Sequence, residues 1–387
     1  MIEQIISQLS FLELIIAGCV VGFFLIQTFY YFFYYIRVSI RKRKDIKIGH
    51  DFGKKEPVSV IICARNEAEN LRNFLPSVVN QCYPDYEIII VNDGSYDETE
   101  NVVKEFSGKY SNIYMTYVPE DTKTVSRKKL AITIGIKAAK NDILLFSDAD
   151  CKPVSNNWID LMTRRFKDNT EFVLGFGGYY EEKGFLNRLI RFDTLFIGMQ
   201  YIAFALAGHP YMGVGRNLAY RKSTFYKNGN FLSHLDLQSG DDDLFVNQNA
   251  TGKNTQVEVV SESVTLSIPK TTSRTWKNQK MRHLSTSPRY RVGTKIMLGV
   301  ENLSRGLFYL SFLACFVTLN PIMMILGGSL FLLRWMYQIF IINASAKAFG
   351  VRRFFLSIPF FDIVLPLINL NFMMRNKLKK SRNQVWK

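Results

Sequence analysis

The residues best suited to chemistry are acidic, and they come in clusters. Asp148-Ala149-Asp150 places two carboxylates on either side of one small residue, directly after the apolar run Asp142–Phe146. In an extended backbone, residues two apart point the same way, so both carboxylates can reach one site. Hard oxygen ligands of this kind suit Mg2+ or Mn2+, ions that neutralise a diphosphate. A solvated turn, or a helix N-cap before Trp158, is the other reading of the same pair. A second cluster is Ser239-Gly240-Asp241-Asp242-Asp243-Leu244. Adjacent carboxylates repel, so one of them titrates high, as a base near neutral pH requires. Acids also suit a helix N-terminus, and Asp241–Ala250 reads as helical. In Gln279-Lys280-Met281-Arg282-His283, Gln279 and Arg282 share a helix face. Arg282 is suited to bidentate phosphate contact. Lys277 and Lys280 nearby leave a basic surface helix as the alternative.

These clusters need elements to position them. Pro57–Ala64 is a short β-branched run with the signature of a buried strand, and Tyr86–Val91, Ile113–Val118 and Asp142–Phe146 read as further strands. Glu67–Asn80, Asp97–Phe106 and Lys128–Lys140 have helical spacing between them. The alternation implies an α/β domain with a mostly parallel, Rossmann-like sheet and helices on both faces. Ligands bind at the carboxyl ends of the strands in such sheets. Arg65-Asn66-Glu67, Asn92-Asp93-Gly94 and Asp148-Ala149-Asp150 all fall there. Gly213-Val214-Gly215-Arg216-Asn217-Leu218-Ala219-Tyr220-Arg221 reads either as a loop whose glycines admit a sugar close to the backbone or as a plain turn into a strand. Gly184–Ala207 reads as a membrane-surface helix or as a core helix.

Val58-Ser59-Val60-Ile61-Ile62-Cys63-Ala64-Arg65-Asn66-Glu67, followed by Ile88-Ile89-Ile90-Val91-Asn92-Asp93-Gly94-Ser95-Tyr96-Asp97-Glu98-Thr99, resembles the opening of glycosyltransferase family 2, inverting enzymes of the GT-A fold. The resemblance covers about Pro57 to His283. It implies that Ala64, Asn66, Glu67 and Asp93 hold the nucleotide of a nucleotide-sugar donor, most often a UDP-sugar. It implies that Lys128 approaches the diphosphate, that Asp150 binds the metal, and that Asp148 reaches the ribose or shares the ion. Thr133 stands where the family usually has Asn. The acidic motif resembles the family's Glu-Asp-x-x-Leu, with Gly240 in place of Glu; counting back from Leu244 makes Asp241 the base and Asp242 the fallback. A base that removes the acceptor hydroxyl proton is what an inverting transfer needs. Gln279 to His283 resembles the Gln-x-x-Arg-Trp motif of the membrane-embedded cellulose- and chitin-synthase-like branch, with His283 for Trp. The reading is therefore an inverting, metal-dependent transferase acting on a hydroxyl of a glycan or lipid-linked acceptor. Its rivals are a polyprenyl-phosphate glycosyltransferase, which needs no base, and an inactive sugar-binding membrane scaffold. A nucleotidyltransferase would need a glycine- and arginine-rich first loop, which this sequence lacks.

The 387 residues carry a net charge of +16, but the location of that charge speaks against nucleic acid. Arg37–Lys55 holds eight Lys/Arg against Asp45 and Asp51, and Arg375–Lys387 holds six with no acid. Both follow apolar runs, as cytosolic flanks of membrane segments do. Phe11–Ile36 is long enough to span a bilayer, and Gly306–Asn343 is about two spans long with a turn at Asn320-Pro321. Phe354–Met374 carries Pro359, Asp362, Pro366, Asn369 and Asn371 between basic flanks; it reads as a third span or as an interfacial segment. The expected organisation is a transmembrane anchor (1–36), a basic juxtamembrane linker (37–56), a catalytic domain (57–295), a membrane region of two to three segments (296–374) and a basic tail (375–387). The positive-inside trend puts the N-terminus outside and the catalytic domain in the cytosol, at the cell's inner membrane. Cys19, Cys63, Cys82, Cys151 and Cys315 form no Cys-x-x-Cys pair, which fits a reducing compartment.

Overall fold

The structure, a computed structural model, describes residues 9–48, 55–119 and 124–383. The chain enters through α1 (Phe11–Phe29), closed by a reciprocal cap in which Ser10 accepts the Glu13 N–H and Glu13 accepts the Ser10 N–H at 2.8 Å. A π-helical stretch, Tyr30–Tyr35, leads into α2 (Arg37–Ile48). The basic segment expected as a linker is thus helical as far as Ile48, and positions 49–54 of it lie outside the described residues. Arg165 pairs with Asp45 at 2.6 Å and anchors α2 to the following domain.

That domain alternates as its hydrophobic pattern requires: β1 (Val58–Ala64), α3 (Ala68–Val79), β2 (Tyr86–Asn92), α4 (Thr99–Lys109), β3 (Ile113–Tyr117), α5 (Arg127–Ala138) and β4 (Ile143–Asp148). β1, β2 and β4 are buried almost throughout, the mark of parallel strands covered on both faces. Gly135 lets α5 lie close on the sheet, because a Cβ there would stand 2.7 Å from Ile61 and 3.0 Å from Val91. Shorter elements follow: β5 (Cys151–Pro153), α6 (Trp158–Thr163), β6 (Phe172–Leu174), β7 (Gly177–Tyr179), α7 (Phe185–Leu206), β8 (Leu218–Arg221), α8 (Lys222–Lys227), α9 (Asp243–Asn249), β9 (Thr255–Val257), β10 (Thr265–Ser267) and α10 (Ser273–Leu284). The main sheet runs β3-β2-β1-β4-β8-β6-β9, and β5-β10-β7 form a second. The first four strands are parallel, whereas β8 is antiparallel to β4 and β6. α7 is buried over most of its length and is a core helix. The buried Lys280–Asp193 pair, 2.8 Å, fastens α10 to it.

The C-terminal part is α11 (Val292–Val317), α12 (Pro321–Ala348) and α13 (Ile358–Asn383). The turn expected at Asn320-Pro321 is present: Asn320 caps α12 by accepting the Ile322 N–H at 3.0 Å. α11 begins well before the expected Gly306, because its charged pair, Glu301 and Arg305, is turned inward and bonded together. Both belong to a buried polar cluster in which Arg334 contacts Asp362 at 2.8 Å and Gln27 at 3.0 Å, and Gln338 donates to Tyr31 at 2.9 Å. Among the described residues, four helices are long and apolar enough to cross a membrane: Phe11–Asp45, Phe185–Leu206, Pro321–Ala348 and Ile358–Arg375.

Candidate active site

Parallel pairing on both sides of β1 brings three strand ends level, with Ala64 opposite Asn92 and Cys63 opposite Asp148. The Ala64 carbonyl accepts the Asp93 N–H at 2.9 Å. Asn66 adopts φ +57°, a region that Asn tolerates better than most residues. Its N–H donates to Ser95 Oγ and its Oδ1 accepts the Tyr96 N–H, each at 3.0 Å, so the loops after β1 and β2 are laced together. The Glu67 N–H donates to Thr99 Oγ1 at 2.9 Å, and burial raises the pKa of its carboxyl. Asp93 is buried and accepts Arg127 Nε at 2.7 Å, with Arg65 4.0 Å away. Ala64, Asn66, Glu67 and Asp93 therefore form one continuous wall.

The second wall carries the aspartates. β4 ends at Asp148 and the chain turns at Ala149-Asp150, so the two carboxylates converge through a turn and not through an extended strand. Ligand atoms of Asp148, Asp150 and Cys151 all lie within 4.8 Å of one another. The carboxylates fit a hard divalent cation. The thiol does not: burial pushes the Cys151 pKa well above its usual value, and its sulfur sits 2.8 Å from Ser267 Oγ. Burial, reinforced by the charge of Asp148, raises the pKa of Asp150. Burial opposes ionisation of Asp148 too, but Lys128 Nζ at 3.0 Å overrides it and holds Asp148 below the ordinary carboxylate range. A cation shared by the pair would remove the repulsion that raises Asp150.

Lys128 also lies 3.6 Å from Asp241, joining motifs far apart in sequence. The three consecutive aspartates divide sharply. Asp242 accepts the Gly215 N–H and the Asp243 N–H, each at 2.7 Å, so both its oxygens are engaged. Asp243 accepts hydroxyls from Tyr290, at 2.8 Å, and Thr286; burial and the neighbouring Asp242 push its pKa up to about 7. Asp241 lines the cleft together with Asp242, Ile61, Cys63, Lys128, Asp148 and Gly215. Burial raises its pKa against the opposing pull of Lys128. Gly240 has φ +102°, and a Cβ there would meet Leu244 Cδ1 at 2.6 Å; the backbone leading into Asp241 thus excludes the glutamate that the resemblance would place there.

α10 closes the site. Gln279 donates to the Tyr179 hydroxyl at 3.1 Å, while Arg282 is exposed and its charge helps to lower the Asp148 pKa. With Lys280 buried against Asp193, this helix is not a free basic surface. Arg216, which the sequence placed in a glycine-rich segment without a role, lies over the Tyr179 ring at 4.4 Å and donates to the Gly177 carbonyl at 2.8 Å. Its buried Nε has no partner among the described residues. Arg127 and Tyr179 were likewise not singled out. The signal for Arg216 is a cation directly after Gly-Val-Gly, between the two acidic motifs.

Residues 59–229 match the family model for glycosyl transferase family 2. Glycosyltransferase AglE of Haloferax volcanii is 32% identical over 139 residues, which are 33% of this chain and 43% of that protein. Cholesterol galactosyltransferase of Borreliella burgdorferi is 33% identical over 124 residues, 32% of this chain and 33% of that one. The chain thus spans less than half the length of either relative. Among solved structures, the mannosyltransferase PcManGT of Pyrobaculum calidifontis, in complex with GDP-Man and Mn2+, superposes with a TM-score of 0.55 at 16% identity, over 88% of this chain and 99% of that one. The shared fold is GT-A.

Proposed function

We propose, for a chain that carries a glycosyltransferase family 2 domain over residues 59–229, an inverting, divalent-metal-dependent transfer of sugar from a nucleotide donor, a UDP-sugar first, to a hydroxyl of a glycan or lipid-linked acceptor. The observation that carries this reading is the bridge of Lys128 between Asp148, at 3.0 Å, and Asp241, at 3.6 Å. It sets a donor-diphosphate side and a base side around one cleft.

In this reading Ala64, Asn66, Glu67 and Asp93 hold the base and ribose, with Arg127 fixing the Asp93 carboxylate. Asp150 and Asp148 hold Mg2+ or Mn2+, which when bound offsets diphosphate charge. Lys128 and Arg282 meet the phosphates, and Gln279 orients Arg282 through their common helix face. Asp241 accepts the acceptor hydroxyl proton as that oxygen bonds to the anomeric carbon and the bond to the nucleotide diphosphate breaks. The electron pair leaves with the diphosphate, whose charge the cations stabilise. Asp242, with both oxygens engaged, positions the Gly215 loop.

We place this chemistry at the cytosolic face of the cell's inner membrane. α1, α11 and α12 all meet the catalytic domain at one end, and the basic run of α2 lies at that end. Glu13 and Asn320, bonded at 2.8 Å, mark the other. The test is a donor screen on the full chain in membranes, scoring nucleotide release from UDP-, GDP- and TDP-sugars with and without Mn2+. Product anomeric configuration is read by NMR. Metal-dependent release with inverted configuration is expected; retained configuration, or no turnover with any donor, would refute the reading.

A further inference from the structure

α13 has the length and composition of a span, but its contacts place both its ends on the same side. Near its start, Phe361 packs on Phe192 of α7 with ring centroids 5.0 Å apart, and Phe185 lies 6.0 Å from Phe360. Near its end, Phe372 meets Trp276 of α10 at 6.0 Å. Those contacts are about 16 Å apart along the helix, and Phe361, Leu365 and Phe372 all belong to the same hydrophobic core as α7 and α10. A helix running along the bilayer normal would leave the catalytic domain within one or two turns. Asp362 is buried against the helix bundle, where Tyr309 donates to it at 2.7 Å and Arg334 lies 2.8 Å away. Pro366 then interrupts the hydrogen-bond ladder and permits the helix to bend along the domain.

The opposite face is apolar and, apart from the contact of Phe360 with Phe185, open among the described residues. Leu356, Phe360, Ile363, Leu367, Leu370 and Met374 are between 39% and 80% exposed, at the alternating spacing of four and three that marks one helix face. α11, which packs against α13, carries exposed apolar residues of its own, Val292, Ile296, Val300, Leu303, Leu310 and Val317. Beyond the α13 stripe the sequence supplies Arg375, Lys377, Lys379, Lys380 and Arg382, and Arg352 and Arg353 precede the helix.

We infer that α13 is an in-plane helix seated in the leaflet on the catalytic side, its apolar stripe in the acyl boundary and its basic end on anionic phospholipid headgroups. Arg375 then stays on the catalytic side and keeps to the positive-inside trend, which a further crossing would break. The seat also fixes α10, with Gln279 and Arg282, one helix away from lipid.

The full chain, with exposed Cys19 and Cys82 changed to Ser, is reconstituted in vesicles containing phosphatidylglycerol. Leu356→Cys, Leu367→Cys and Met374→Cys each carry an environment-sensitive fluorophore, and nitroxide lipids quench at a shallow or a deep position. All three labels should be quenched more by the shallow lipid, to within about twofold of one another. Arg375→Cys should react with an impermeant maleimide from the same side as Tyr96→Cys. Replacing phosphatidylglycerol by phosphatidylcholine should weaken quenching at Met374 more than at Leu356. Deep quenching at Leu367 with Arg375 labelled from the opposite side would overturn the assignment in favour of a span. Labels shielded from both lipid and reagent would overturn it in favour of a second copy covering the stripe. Equal quenching in both lipids would overturn the role of anionic headgroups.

Discussion

Asp241, Asp242 and Asp243 are chain neighbours with one chemistry and three environments. Asp241 and Asp242 both line the cleft, but Asp242 has each oxygen taken up by a backbone N–H group, and Asp243 sits among hydroxyls. For Asp243 the linkage sign is definite. Its folded pKa, about 7, exceeds an unfolded value of roughly 3.9, so the folded state binds the proton more tightly. The stability this contributes is full below the unfolded pKa and is lost as pH rises through about 7, by at most about 1.4 kcal/mol per pH unit. Thermal unfolding between those limits should show that decline in the native protein, and Asp243→Asn should flatten it. Arg216 is a second residue-scale case. Its charge acts on both Asp148 and Asp150, and its buried Nε has no partner among the described residues; a charge-assisted contact from it to the donor would be worth about 1.5–3 kcal/mol. Arg216→Ala should therefore lower kcat/KM for the donor by roughly 10–100-fold, and an unchanged kcat/KM would remove Arg216 from the site. The acidic residues were legible in the sequence because charge next to an apolar strand end is conspicuous. Arg127, Tyr179 and Arg216 were not, since what defines them is a partner reached only through tertiary folding.

At the scale of elements, β1 through β4 and the helices between them were readable almost to the residue, because each strand is an apolar run bounded by polar turns, rich in β-branched residues in β1 and β2. The second half was less legible. β6, β7, β9 and β10 are three residues each, too short to show a period. The first half of α11 is less legible than the apolar run from Gly306, because Glu301 and Arg305 look like a soluble stretch until each is seen to neutralise the other. One glycine binds these layers together. A Cβ on Gly198 of α7 would lie 2.3 Å from the Phe176 ring, which is itself stacked on Phe349 at 4.2 Å. Gly198→Ala should thus destabilise by about 1–3 kcal/mol through overpacking, read as a lower Tm, with the junction to α12 loosened first. No change in Tm would mean that Phe176 has room to move.

At the scale of the molecule, the membrane helices and the catalytic domain share polar contacts as well as core. Gln200 donates to Tyr35 at 3.2 Å and accepts from Tyr211 at 3.0 Å, while Arg305 lies over Phe196 at 4.4 Å. The buried cluster behind them is balanced, two acids against two arginines. Arg334→Met alone leaves Asp362 without its nearest cation and should destabilise by about 3–5 kcal/mol, whereas adding Asp362→Leu should recover most of that loss. Unfolding in micelles checks both variants; equal loss in each would mean that the cluster contributes through shape alone. The central claim, however, is that one cleft joins a metal-held donor to a base. The most direct test compares the full chain in membranes with Asp241→Asn, measuring nucleotide release with acceptor present, in Mn2+ and after chelation. Asp241→Asn should lower kcat by about 10²–10⁴-fold while leaving the donor KM within a few-fold, and chelation should abolish release from both. Transfer by Asp241→Asn at the native rate would contradict the account, because an acceptor that needs no base, such as a lipid phosphate, would then be the nucleophile.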